Sequence, residues 1–193
     1  KVAHFISAPA SGGVEVFVKD LSISLNKSGV SAVIIFLSNA KDIDRDVLFE
    51  KEYLMELEAN GVEYFFIGNE CRKNIFKGVC SLNKTIKDND IDILHSHMPY
   101  GVLFSIFKSI PIIYTHHSIK ARLNQFTYFL FSFLVDQYVG ISKVCADSLE
   151  KSSGKNVILI RNSVDIKKFV GLKRTRGVCN VYNILMVGRI TED

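Results

Sequence analysis

Short apolar runs alternate with amphipathic stretches along the chain, and this alternation predicts a series of strand–helix units. Some runs, such as residues 32–37 and 110–114, are apolar at nearly every position. Strands with both faces buried have this pattern, and they belong to parallel sheets that helices cover on both sides. The predicted strands are residues 2–7, 31–37, 62–67, 91–95, 110–115, 136–141 and 156–161.

Three stretches between these runs carry apolar residues at helical spacing, and a fourth helix is expected over residues 143–151. The first two stretches stop at Gly29 and Gly61, which suit a helix C-terminus. The three stretches and their apolar stripes are 14–28 with Val14, Phe17, Val18, Leu21 and Leu25, 46–60 with Val47, Leu54 and Leu57, and 74–88 with Ile75, Val79, Leu82 and Ile86. Repeated units of this kind predict an α/β fold, a doubly wound parallel sheet with right-handed crossovers.

A domain boundary is predicted near residue 170. Residues 171–181 are polar, basic and flanked by glycines, which is typical of a linker. Residues 182–188 then have the pattern of a new buried strand. We therefore expect an N-terminal domain over residues 1–170, an interdomain linker over 171–181, and over 182–193 the first strand of a truncated second domain. A site shared between two such domains would be half present.

The composition is that of a globular protein, with 48% hydrophobic and 23% charged residues. The net charge of +4 permits attraction to anionic substrates or to a membrane surface, but it does not indicate a nucleic-acid partner. No Cys-x-x-Cys pair occurs, so the four cysteines favour reduced thiols in a cytosolic protein over a zinc or redox motif. The longest apolar run, residues 126–135, is too short for a bilayer span of about 20 residues.

Gly12 and Gly13 end the loop between the first predicted strand and the first helix. Glycines let a ligand approach the backbone, and a helix N-terminus offers unpaired N–H groups to an anion such as phosphate. A tight strand–helix turn would explain the same residues without a ligand. The pair fits neither Gly-x-Gly-x-x-Gly nor a Walker motif, which disfavours a dinucleotide dehydrogenase and a P-loop enzyme.

Four of the five histidines follow two predicted strands, His95 and His97 after one and His116 and His117 after the other. Parallel strands bring such positions to one edge of the sheet, and strand alternation points His95 and His97 to one side. The cluster suits a polar ligand, acid–base chemistry or a metal. Contact with a polar ligand is favoured because no third metal ligand is apparent, and structural hydrogen bonding is the alternative. His4, inside the first strand, is expected in the core.

Two further residues lie where strands end. Ser142 precedes the helix over 143–151, where serine is a good N-cap. Arg189 follows the additional strand, where a guanidinium suits a diphosphate, although a solvated arginine is the alternative.

The segment 119–135 combines Lys120 and Arg122 with the aromatic run 126–133. Such a helix could dock on an anionic membrane surface. Because phenylalanine and leucine occur on all sides of it, a core helix with solvated basic ends is favoured.

Six short motifs, in order along the chain, resemble the glycosyltransferase group 1 family, which comprises retaining enzymes of the two-domain, Rossmann-like GT-B architecture. The motifs are Ser11-Gly-Gly-Val-Glu15, Asp92-Ile-Leu-His95-Ser-His97, Tyr114-Thr-His-His117, Val139-Gly-Ile-Ser142, Asn162-Ser-Val-Asp165-Ile-Lys-Lys-Phe169 and Val187-Gly-Arg189. Ser163 departs from the family's usual glycine, and the family's Glu-x7-Glu motif would belong to a second domain. The resemblance implies that this chain is the N-terminal, acceptor-side half of a GT-B fold.

The resemblance also implies a role for each matching position. His117 is similar to the family's active-site histidine, close to the transferred sugar, and His97 to a recurrent histidine on the acceptor side. The remaining roles are acceptor or diphosphate contact by the loop at Gly12 and Gly13, a helix start at the cleft for Ser142, and donor phosphate contact for Arg189.

As a whole, the resemblance implies transfer from a nucleotide-sugar donor to a hydroxyl on a glycan or lipid-linked acceptor. It implies no obligatory metal and no cofactor besides the donor substrate. The usual setting is polysaccharide or lipopolysaccharide synthesis in the cytoplasm, at the inner face of the membrane, and the isolated domain should be inactive. A sugar-nucleotide 2-epimerase of the same architecture and a non-catalytic α/β binding module are the alternatives.

Overall fold

Seven parallel strands form a single sheet in the computed structural model, which describes residues 1–107, 109–118, 123–164 and 166. Their order across the sheet is β3-β2-β1-β4-β5-β6-β7. The strands are β1 Val2–Ile6, β2 Ala32–Phe36, β3 Glu63–Phe66, β4 Ile93–Ser96, β5 Ile112–His116, β6 Gln137–Gly140 and β7 Val157–Leu159. The seven strands predicted between residues 2 and 161 are all confirmed, with their ends displaced by two residues at most.

The strands are connected by helices that follow the predicted pattern. Gly29 and Gly61 come just after α1 and α2 with φ of +84° and +67°, the conformation that favours glycine at a helix end. Two 3₁₀ helices, Lys41–Ile43 and Asn69–Arg72, and the short α4, which begins at Pro99, were not predicted. The α-helices are α1 Gly13–Lys27, α2 Val47–Ala59, α3 Ile75–Asp88, α4 Pro99–Leu103, α5 Gln125–Phe131 and α6 Lys143–Ser153.

Apolar side chains fill both faces of the sheet, which explains why the strand sequences do not alternate with polar residues. On one face, Ile34 and Phe36 pack against α1 and α2. On the other face, Phe5 and Leu94 belong to a larger cluster that includes side chains of α3, α4, α5 and α6. The predicted stripes are wrong at two helix starts, because Val47 in α2 and Ile75 in α3 are about half exposed, at 54% and 47%. The first turn of each helix carries these side chains away from the sheet.

The strand order reverses between β1 and β4, and this reversal positions the site. Loops after β1 and β4 diverge to opposite faces of the sheet, and a crevice opens between them at the carboxyl ends of the strands. The register pairs His4 of β1 with His95 of β4, so these two histidines are direct neighbours.

Several predicted features lie outside the described residues. They are the linker 171–181, the strand and second domain over 182–193, Arg189, Asp165, Lys120, Arg122 and Cys179. Within the described part of the chain, every helix falls short of the length and apolar character that a bilayer crossing requires.

Candidate functional site

A cavity of about 750 Å³ opens at the carboxyl ends of β1, β4 and β5, at the reversal of strand order. Its wall is largely apolar and includes a few charged or polar groups, the arrangement typical of small-molecule sites. Two predicted site residues, His97 and His117, lie in this wall, together with Ser7, Glu15 and Arg72.

Three histidines form a hydrogen-bonded chain that reaches the cavity. His4 Nδ1 lies 3.1 Å from His97 Nε2, and His97 Nδ1 lies 2.9 Å from His117 Nε2. Phe17, one turn into α1, packs edge-on against the rings of His97 and His117, with centroids 6.4 and 6.0 Å away. The structure therefore brings His97 and His117 together beside the first helix, as the sequence predicts.

Burial keeps these rings neutral. Desolvation is the main cause that lowers the pKa of His117 to about 4, and the charge of neighbouring His116 lowers it further. Desolvation likewise lowers the pKa of His4 to about 3 and that of His95 to about 4. The pKa of His97 lies well below its ordinary value for the same reason. At neutral pH the cluster therefore offers hydrogen bonds and no positive charge.

A neutral imidazole has one N–H group and one lone pair, so the chain has two proton arrangements. In one, His117 Nε2–H donates to His97, and His97 Nε2–H donates to His4. In the other, both bonds run in the opposite direction and His117 carries its proton on Nδ1. Of the described residues, none forms a hydrogen bond with His117 Nδ1 or with His4 Nε2, the two ends of the chain. Either arrangement leaves His117 Nδ1, a buried atom, able to donate to a ligand that reaches it or to accept from it while the ring stays neutral.

The remaining histidines, His4 and His116, each differ from the prediction in one respect. His4 is 1% exposed, as expected for a core residue, but it also belongs to the histidine chain. His116, which the sequence groups with the cluster, points to the opposite face and contacts Tyr114 and Tyr128, where it lines another part of the cavity wall. Strand alternation explains the orientation of His116, because His116 and His117 are adjacent in an extended segment, and the register of β1 against β4 explains the position of His4.

His4 also supplies the third nitrogen that the sequence did not reveal for a metal site. Ring nitrogens of His4, His95 and His97 lie within 4.8 Å of one another, the one such group among the described residues. The rings of His4 and His97 are hydrogen-bonded to each other, and His95 Nε2 lies 2.7 Å from Thr115 Oγ1. Hydrogen bonds thus account for their positions, and the absence of a metal stays a prediction.

The two glycines of the loop after β1 do not themselves line the cavity. Gly12 is the N-cap of α1 and Gly13 its first residue, whereas Val14 and Glu15 line the cavity. A Cβ atom on Gly12 would lie 2.0 Å from a carboxylate oxygen of Glu15. The carboxylate of Glu15 therefore lies next to this helix N-terminus, where a phosphate would bind. Phosphate contact by Gly12 and Gly13 stays a prediction.

Ser142 performs the simpler of its two predicted roles. Its hydroxyl accepts a hydrogen bond from the backbone N–H of Cys145 at 3.2 Å, and it caps α6. It is not part of the cavity wall, and its contact with a substrate stays a prediction.

Arg72 and Tyr100 are cavity residues that the sequence did not indicate. Arg72 ends the 3₁₀ helix after β3, and its guanidinium carbon lies 5.6 Å from the centre of the Tyr100 ring. Neither residue belongs to a motif, and only the fold brings the loops after β3 and β4 together.

Comparisons with known proteins agree with this architecture. The family model described as Glycosyltransferase Family 4 matches residues 11–168. No curated protein sequence matches the chain.

Three of the similar solved structures illustrate the shared architecture. A glycosyltransferase from Rickettsia africae ESF-5 has 17% identity and a TM-score of 0.67, over 91% of this chain and 46% of that one. Anabaena HepE in complex with UDP and glucose has 13% identity and a TM-score of 0.63, over 86% and 45%. The lipopolysaccharide outer core galactosyltransferase WaaB in its apo form has 15% identity and a TM-score of 0.60, over 86% and 46%.

At these identities the likeness shows the fold alone, and the chain spans less than half the length of each structure. The described residues have the fold of the N-terminal, Rossmann-like half of a GT-B protein. This confirms the fold class predicted from the strand–helix pattern and the resemblance to a glycosyltransferase family of GT-B architecture.

Proposed function

Because the chain belongs to Glycosyltransferase Family 4, we propose that it is the acceptor-side domain of a retaining enzyme that transfers a sugar from a nucleotide-sugar donor to a hydroxyl group. The observation that carries the proposal is the position of His117, at the end of β5 in a cavity at the reversal of strand order. Ligands of parallel α/β sheets bind at this place. The chain's own residues then line one side of the reaction site.

In this reaction the bond between the sugar and the diphosphate breaks, and its electron pair leaves with the nucleotide. The acceptor oxygen forms the new bond to the same carbon, and its proton is released. The neutral His117 ring would hydrogen-bond a hydroxyl of the transferred sugar or of the acceptor. Charge stabilisation of the leaving diphosphate needs other groups, and we assign part of it to Arg189, which lies outside the described residues.

A UDP-linked hexose is the proposed donor, because the similar HepE structure contains UDP and glucose. Surface polysaccharide or lipopolysaccharide synthesis at the cytoplasmic face of the membrane is the proposed setting, because WaaB acts on the lipopolysaccharide outer core. The acceptor would be a glycan or a lipid-linked sugar.

The test is a turnover assay with the full-length protein and a panel of UDP-sugars. We expect release of UDP, and NMR of the product should show the same anomeric configuration as the donor. Residues 1–170 alone should release no UDP above background, since the donor site would be incomplete.

Each other outcome contradicts a stated part of the proposal. An inverted product contradicts retention, and activity of residues 1–170 alone contradicts a site shared with a second domain. Conversion of the UDP-sugar without release of UDP favours a sugar-nucleotide 2-epimerase. Donor binding without any turnover favours a binding module.

Helix α5 supports contact with a membrane surface. Phe126, Phe129 and Phe133 are exposed, at 67%, 53% and 68%, so the core-helix interpretation is wrong for them. Tyr128 and Phe131 of the same segment are buried and anchor it to the sheet. Three aromatic rings beside a buried anchor suit insertion into the interface of a bilayer.

We expect the full-length protein to co-sediment with vesicles that contain phosphatidylglycerol. Combined Phe126→Ser, Phe129→Ser and Phe133→Ser changes should weaken binding at least about tenfold, because each ring loses apolar burial in the interface. The matched control is Leu48→Ser with Met55→Ser, two exposed apolar side chains of α2 on the other face of the sheet. Equal loss in the control, or no binding of the unchanged protein at low salt, would refute membrane contact.

A further inference from the structure

Arg72 is held in the cavity wall by groups from several loops. Its Nη2 group donates to Ser7 Oγ at 2.8 Å and to Ser38 Oγ at 3.0 Å. Its Nε group donates to Asn69 Oδ1 at 3.0 Å, and the guanidinium lies near the ring of Tyr100. These residues follow β1, β2, β3 and β4, so four strand ends orient one side chain.

All three oriented contacts of Arg72 are with neutral oxygens. In the part of the chain that the structure describes, the ion pairs involve lysines and the N-terminal amine, and no carboxylate lies within ion-pair distance of Arg72. Glu70, two residues earlier, pairs with Lys77. A half-buried guanidinium with fixed geometry, and with no counter-charge among the described residues, is suited to binding an anion.

The contacts leave donors available for that anion. The Nη1 group of Arg72 forms no hydrogen bond with a described residue, and the Ser7 hydroxyl accepts from Arg72 without donating to any described group. Ser7, Arg72 and Tyr100 all lie in the wall of the cavity that contains His117. An anionic oxygen could therefore accept from Nη1 and from the Ser7 hydroxyl together.

The other charged group of the wall, Glu15, forms no ion pair with Arg72. The rest of the wall is mostly apolar, with Ile75, Met98 and Leu103 among its residues. A ligand complementary to the whole cavity would have one anionic group near Arg72 and an apolar or sugar portion against the rest of the wall.

We propose that Arg72 and Ser7 form a subsite for a phosphate or carboxylate group of the acceptor, and that Arg72 determines the preference for anionic acceptors. The assignment of this anionic group to the acceptor rests on the proposed function. The subsite itself is a property of the cavity, and binding alone can test it.

The experiment compares three amphiphiles below their micelle concentrations, with the full-length protein and isothermal titration calorimetry. The probes are dodecyl phosphate, dodecyl glucuronide and the uncharged dodecyl glucoside. We expect at least one anionic probe to bind about tenfold to a hundredfold more tightly than dodecyl glucoside, the range of a charge-assisted hydrogen bond. The stronger of the two distinguishes a phosphate acceptor from a carboxylate acceptor.

Arg72→Met should abolish this difference, and Arg72→Lys should retain part of it because the charge stays but the oriented fork is lost. The matched control is Arg45→Met, the same substitution at an exposed arginine, which should retain the full difference. Circular dichroism checks the fold of each variant. If Arg72→Met does not fold, Ser7→Ala serves instead, with an expected loss of about threefold to tenfold.

Three results would overturn the proposal. The first is equal binding of all three probes. The second is an anionic preference that survives Arg72→Met or, where that variant is unfolded, survives Ser7→Ala. The third is displacement of the anionic probe by UDP, which would assign the subsite to the donor. An anionic preference in a protein that transfers no sugar would refute the proposed function and leave the subsite intact.

Discussion

Replacement of His117 by alanine in the full-length protein is expected to lower kcat/KM for sugar transfer about 10²- to 10³-fold. Loss of one oriented hydrogen-bonding group at a reacting centre has an effect of this size. His117 lies in the cavity wall, its Nε2 is fixed by His97 at 2.9 Å, and its buried Nδ1 has no hydrogen-bond partner among the described residues. The ring is thus oriented before a substrate arrives.

Two conservative variants separate the roles of the two nitrogens. Asparagine places its amide close to the position of Nδ1, and glutamine places its amide close to that of Nε2. If Nδ1 contacts the substrate, His117→Asn should recover more activity than His117→Gln. The reverse order would mean that the bond to His97 matters more than contact with the sugar.

The dependence of the reaction on pH provides a second readout. Burial lowers the pKa of His117 to about 4, so the ring gains a proton only as the pH falls through that value. Between pH 5.5 and 8 we therefore expect no change in kcat/KM that depends on His117. A transition near pH 6.5 that disappears in His117→Asn would contradict a neutral, buried ring, and unchanged activity of His117→Ala would refute its catalytic role.

Replacement of Gly140 by alanine is expected to destabilise the fold by about 2–3 kcal/mol, in the upper part of the range for an overpacked core. Gly140 is the last residue of β6, where α6 crosses the end of the strand. An added Cβ atom would lie 2.6 Å from Ala146 Cα and 2.7 Å from Ala146 N. Because these are backbone atoms, the helix must move as a whole.

The matched control is Gly13→Ala, since a Cβ atom at this glycine would meet nothing within 4 Å. Alanine is also a better helix former than glycine, so stability should be unchanged or slightly raised. Urea denaturation of the full-length protein measures both variants, with hydrogen exchange of residues 137–159 to locate the effect. A change below about 0.5 kcal/mol for Gly140→Ala, the size usual for an uncrowded surface position, would show that α6 does not pack against the strand as described.

Most of the architecture follows from local patterns. Runs such as residues 32–37 can be satisfied only when both faces of a strand are covered, and that requirement already implies a parallel sheet with helices on two sides. The helix ends at Gly29 and Gly61 are equally local, because a left-handed residue there favours glycine. Short elements such as α4 cannot be predicted in this way, because a helix of one turn has too few residues to show a hydrophobic period.

The site was predictable to the extent that it consists of strand ends. His97 and His117 follow adjacent strands, and the topology brings such positions together. His4 and Arg72 were not predictable as site residues. His4 becomes part of the cluster only through the register of β1 against β4, and Arg72 only through the meeting of four loops.

The sequence by itself therefore determined the parallel sheet, the positions of its helices and the strand ends that contain the histidines. These properties depend on burial and backbone conformation within about 15 residues, the range over which a helical or strand period can be recognised. The tertiary structure alone decided that His4 joins the hydrogen-bonded chain of histidines and that Arg72 enters the cavity. These depend on packing between segments that are distant along the chain, and no local period encodes it.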